Sequence, residues 1–108
     1  MNILYAIENK LTVNDLCILS LLNEVAKEKK SDVFKYSYSE IMEDLPIIFK
    51  NEDYDSNSKI LRNILNKKTV KKFVNREIDR KGRYLGTIVT FKLNRDNINK
   101  LNIDGIDK

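Results

Sequence analysis

The chain has 108 residues, 42% of them apolar and 33% charged, enough for a single domain with one core and no need of metal or disulfide support. A lone cysteine, Cys17, excludes an internal disulfide, and the sequence has no His, no Gly-rich phosphate loop and no G-x-S-x-G elbow, so the usual catalytic motifs are missing. The formal charge of +4 is a sum of opposites: residues 1–58 hold six basic and eleven acidic side chains, a net of −5, residues 59–92 hold eleven basic and two acidic, a net of +9, and the last sixteen hold three of each.

A Lys-, Asn- and Ile-rich composition raises Lys everywhere but does not remove acids locally, so the basic segment predicts a surface for a polyanion, most often nucleic acid. The first residues, Met1 to Glu8, have no basic flank and too short an apolar run for a signal peptide, and no stretch approaches the ~18 apolar residues of a membrane span. With Cys17 inside an apolar run, where it packs as a small hydrophobe, the expectation is a reducing, cytoplasmic setting without membrane contact.

Along the chain, Thr12 and Asp15 make a capping-box-like start, and Leu16, Leu19, Leu22 and Val25/Ala26 follow at helical spacing, predicting a core-facing helix over 13–29. Val33 to Ser37 is short and rich in β-formers. Ser37-x-x-Glu40 fits a capping box for a brief helix that buries Ile41, Met42 and Leu45 and stops at Pro46. After an irregular stretch, Asp55 and Ser56 are the expected caps of a third helix from about Asn57 to Lys68, with Ile60, Leu61, Ile64 and Leu65 apolar. Val70 to Ile78 and Tyr84 to Leu93 read as two strands joined by Asp79-Arg-Lys-Gly82-Arg83, with Asp79 shaping the turn. On the second strand Leu85, Thr87, Val89, Phe91 and Leu93 share one face. Residues 94–108 read as a polar tail or short helix beyond a single 1–93 domain.

The order helix, short strand, helix, helix, hairpin resembles a winged helix-turn-helix domain over residues 11 to 93. Leu16 to Ala26 match its scaffold helix, Phe34-Lys-Tyr its first strand, Ser37-Tyr-Ser-Glu-Ile-Met and Ser58-Lys-Ile-Leu-Arg-Asn-Ile-Leu its helix pair, and Arg80-Lys-Gly-Arg83 its wing tip. The resemblance implies an α+β fold of three helices, a small antiparallel sheet and a C-terminal β-hairpin wing, and it implies binding to double-stranded DNA. One departure is the stretch of about ten residues between Leu45 and the third helix, where the family has a tight turn.

The third helix carries the candidate chemistry. At 100° per residue, with Lys59 at 0°, Asn63 falls at about 40°, Asn66 at about 340° and Arg62 at about 300°, opposite an aliphatic arc at about 100–240°. Arg suits guanine O6 and N7, and Asn suits adenine N6 and N7. The expected duplex contacts on this helix are Asn57, Ser58, Lys59, Arg62, Asn63, Asn66 and Lys67. On the wing they are Lys71, Lys72, Arg76, Arg80, Lys81 and Arg83, which can follow a phosphate backbone or enter a narrow minor groove. Ser37, Tyr38 and Ser39 at a helix start are candidates for a phosphate, although Ser37 also reads as a plain cap and Tyr36 and Tyr38 as half-buried packing residues.

No cofactor or metal is expected: the tightest acidic group, Glu52-Asp53-x-Asp55, lacks the spacing of a calcium loop. The acidic residues in 40–55 would repel a duplex or accept a protein partner. A domain this small contacts few base pairs, so site recognition implies a homodimer, with Ile3, Leu4, Tyr5, Ile7 and the Ile-bearing tail available for it. Two roles stay open: a site-specific DNA-binding protein, in transcription control or as an origin-marking or transfer accessory of a plasmid or mobile element, or an interaction module whose hairpin docks an acidic protein or RNA.

Overall fold

The computed structural model describes residues 1–82 and 86–103, and the side chains of all of these except 80–82 and 86. In chain order they form α1 (Ile3–Glu8), α2 (Val13–Lys29), β1 (Val33–Ser37), α3 (Tyr38–Asp44), α4 (Tyr54–Leu65), α5 (Lys68–Lys71), β2 (Val74–Gly82), β3 (Gly86–Leu93) and α6 (Arg95–Leu101). The strands make one antiparallel sheet in the order β1-β3-β2, so the C-terminal strand is central. Phe34 stands opposite Phe91 across β1–β3, with ring centroids 5.9 Å apart, and Val74 stands opposite Leu93 across β2–β3.

Local signals act where they were expected in the first half. Thr12 and Asp15 form a reciprocal capping box at α2, and Ser37 and Glu40 form one at α3. Helix α2 then ends with Lys30 in the left-handed region at φ 54°. Ile18, Leu19, Leu22, Val25 and Ala26 of α2 meet Ile41, Leu61, Ile64, Leu65, Val89, Phe91 and Leu93 in the core.

Several expectations need correction. Helix α4 starts three residues before Asn57, because its cap is Asp53, not Asp55 or Ser56: Asp53 Oδ2 accepts from the Ser56 N–H at 2.9 Å and the Ser56 hydroxyl at 2.8 Å. It ends at Leu65 rather than Lys68, and Lys67 is extended. The first hairpin strand starts at Val74, not Val70, because α5 intervenes. Val70 and Phe73 are both 0% exposed, and residues three apart share a side in a helical turn but not in a strand. Asp79 does not shape the turn. It sits at a β-bulge, where the register shifts between Ile78 and Arg80, and its Oδ2 accepts from the Thr90 hydroxyl at 2.6 Å. The pairing runs on to Gly82 opposite Gly86, and Arg83, Tyr84 and Leu85 lie outside the described residues.

The two ends belong to the same core. Ile98, Leu101 and Ile103 are buried with it, so the part of the tail through Ile103 is no free apolar surface. Arg95 holds α6 down by donating to Asp32 through Nε and Nη2 and to Asn23 through Nη1. The Asn2 N–H donates to the Leu101 carbonyl, and the Tyr5 ring meets Phe73 edge-on at 6.1 Å, which seats α1 beside α6 and against the turn that follows α5. Ile3, Leu4 and Ile7 remain exposed, as does Val13.

Candidate nucleic-acid interface

Helix α4 is positioned by three devices. Its aliphatic side, Leu61, Ile64 and Leu65, is buried and its first turn is capped. Tyr54 ties that first turn to the sheet: its hydroxyl accepts from the Thr87 N–H at 2.8 Å and donates to Thr87 Oγ1 at 3.2 Å. The nine residues between α3 and α4 are themselves held, by buried Phe49 and by the Asn57 amide, which accepts from the Asn51 N–H and donates to the Asn51 carbonyl. The long connection that departs from a tight turn is thus clasped to the helix it precedes.

Of the expected α4 contacts, Lys59, Arg62, Asn63 and Asn66 are exposed together on the side away from the core. Asn57, Ser58 and Lys67 are not on it. Asn57 is 8% exposed, and helical geometry already sets it at about 160°, inside the aliphatic arc. Ser58 is 2% exposed and accepts a 2.7 Å hydrogen bond from Arg62 Nη1. Lys67 turns inward to fully buried Asp15 of α2, with Nζ 3.1 and 3.0 Å from its two carboxylate oxygens.

On the hairpin side, Lys71 and Lys72 are exposed at α5, and Arg76 is half-buried on β2. Arg76 donates through Nε to the Tyr38 hydroxyl at 2.9 Å and through Nη2 to Asn66 Oδ1 at 3.1 Å. It therefore joins α3, β2 and the end of α4. Asn66, Lys71, Asn75 and Arg76 also line a cleft of about 300 Å³ between α4, α5 and β2. Sequence reasoning missed Asn75 in that cleft and the bracing contacts of Ser58 and Tyr38. No local pattern announces them, since Tyr38 and Arg76 are 38 residues apart. Arg80 and Lys81 lie on the last part of β2, with side chains outside the described set, and Arg83 is outside it altogether.

Tyr38 is corrected as a phosphate contact: its ring is 1% exposed and its hydroxyl is engaged by Arg76. Ser37 is likewise 6% exposed and occupied with Glu40, whereas Ser39 is half-buried. Tyr36 donates its hydroxyl to Asp44 at 2.7 Å. Burial first, and then that bond to a carboxylate, push its phenol above the ordinary range. Glu40, Glu43 and Asp44 are exposed on α3, and among the described residues no group of three or more His, Cys, Asp or Glu is placed to hold a metal ion. No helix among those residues is long and apolar enough to cross a membrane.

No family model, no curated protein and no solved structure matches this chain.

Proposed function

We propose that this chain is a winged helix-turn-helix protein that binds double-stranded DNA at specific sites, with α4 as the reading helix and the β2–β3 hairpin as the wing, and that it is not an enzyme. The observation that carries the reading is the exposed row Lys59, Arg62, Asn63 and Asn66, uninterrupted by any acid and set beside the basic residues of α5 and β2. Apart from the four-residue α5 between α4 and β2, the order α2-β1-α3-α4-β2-β3 and the β1-β3-β2 sheet are in keeping with the family pattern. The protein acts as a homodimer on repeated half-sites, and exposed Ile3, Leu4, Ile7 and Val13 are among the apolar side chains available for self-association. Its biological setting is transcription control, or origin marking or transfer on a plasmid or mobile element.

The test is titration against random duplex at two salt concentrations. If six to ten phosphates are neutralised, affinity falls by about 10³–10⁵-fold between 50 and 200 mM salt. Absence of duplex binding at low salt would overturn the proposal and leave an interaction module for an acidic protein or RNA as the reading to pursue.

A further inference from the structure

The hydrogen bonds made by the exposed row of α4 limit what it can ask of a partner. Lys59 and Arg62 have only donors. Arg62 is held by the buried Ser58 hydroxyl through one Nη1–H, which fixes the guanidinium along the helix and leaves its Nε and Nη2 hydrogens free as a fork. Asn66 would ordinarily offer an acceptor oxygen with two lone pairs and two N–H donors. Its oxygen, however, lies 3.1 Å from Arg76 Nη2. A guanidinium has no acceptor, so the atom facing it is the amide oxygen, and the amide nitrogen is the end left for a ligand. Arg76 is not free to swing away without loss, since its Nε is bonded to the hydroxyl of buried Tyr38. Asn63, exposed and with no side-chain hydrogen bond to another described residue, keeps its whole amide, acceptor and donors alike.

We infer that the α4 face, read as a DNA-reading surface, selects guanine under Arg62 and Asn66 and adenine only under Asn63, with Arg76 and Ser58 as the positioning residues that impose this. Guanine offers two acceptors on its major-groove edge, O6 and N7, which suits a donor-only side chain. Adenine offers N7 beside the donor N6 amino group. Its usual pairing with Asn needs the amide oxygen, and at Asn66 one lone pair of that oxygen already accepts from Arg76, so adenine's amino group would have to share the oxygen beside the guanidinium charge. The inference rests on the proposed function and goes beyond it by naming the bases. It also runs against the simplest reading of three amide and guanidine side chains in a row, in which both asparagines take adenine.

The experiment is selection from a random duplex pool with the wild-type protein, Asn66→Ala and the double variant Arg76→Met/Tyr38→Phe, each checked for folding by thermal melting. Changing Tyr38 together with Arg76 removes the hydroxyl that would otherwise be buried without its donor, and Asn66→Ala changes an exposed residue and removes one partner of Arg76, whose bond to Tyr38 stays. Two guanines and one adenine are expected under the wild-type face. Asn66→Ala loses one guanine preference and keeps the rest, a change of roughly 5–150-fold at that position. In the double variant, with the Asn66 oxygen released, the same position turns from guanine to adenine. Selection of adenine at two positions by the wild type, or an unchanged profile in both variants, overturns the inference while leaving duplex binding intact. If no variant and not the wild type selects any duplex, the proposed function fails and this inference falls with it.

Discussion

Lys67 illustrates how a basic residue can sit in a basic segment and still serve the fold. Its ammonium group faces the carboxylate of Asp15, whose side chain is 0% exposed and also accepts from the Thr12 N–H at 2.9 Å. A buried carboxylate stripped of its cation keeps the desolvation cost and loses the compensation. Lys67→Ala is therefore expected to destabilise the protein by about 1–3 kcal/mol, discounted from a fully buried pair because the Lys67 side chain is 39% exposed. Denaturant unfolding measures this. The same variant should leave the salt dependence of duplex binding unchanged. A lowered salt slope with unaltered stability would return Lys67 to the interface.

At the scale of elements, α4 depends on a cap whose charge responds to pH. Hydrogen bonds from the Ser56 hydroxyl first, and the Ser56 N–H second, hold the Asp53 carboxyl below its ordinary value. The charged form is thus favoured in the folded state, so its contribution is present above the ordinary carboxylate range and is lost as pH falls through the lowered value. Melting followed between about pH 6 and about pH 3 should show a larger acid-side loss for wild type than for Asp53→Asn, all other carboxylates being common to both. Equal losses would mean the cap is not ionic. The bounds of this helix also mark how far a sequence can be read. Helix α2, strand β1 and both capping boxes were legible because their signals lie within four residues of each other. The start of α4 was misplaced because Asp53, Asp55 and Ser56 are all good caps, and the choice was made by Tyr54 reaching Thr87 on β3, 33 residues away. Helix α5 was invisible because Val70 and Phe73 have strong β preference, and burial on one side overrode it. The exposed row Lys59, Arg62, Asn63 and Asn66 was legible from helical geometry alone, while Ser58 and Arg76 as its braces required the packed structure.

At the scale of the whole molecule, the proposed function would divide the labour between two parts of the basic segment. On that reading the exposed cations of α5, together with Arg80 and Lys81 of the hairpin, would meet phosphates, which look alike in every sequence, whereas Arg62 and Asn63 would meet base edges, which do not. Arg80→Ala and Lys81→Ala are expected to weaken all duplexes alike and to lower the salt slope by about 1 each. Arg62→Ala and Asn63→Ala should instead cost about 1–3 kcal/mol on the selected site and little on random duplex. Measured by titration of selected and random duplex across a salt series, these two patterns differ in kind as well as size. The phosphate pattern moves both duplexes in parallel, and the base pattern closes the gap between them. The reverse assignment would make the hairpin the reader, and the bracing of α4 by Ser58, Arg76 and Tyr38 would then serve only to hold the helix against the sheet.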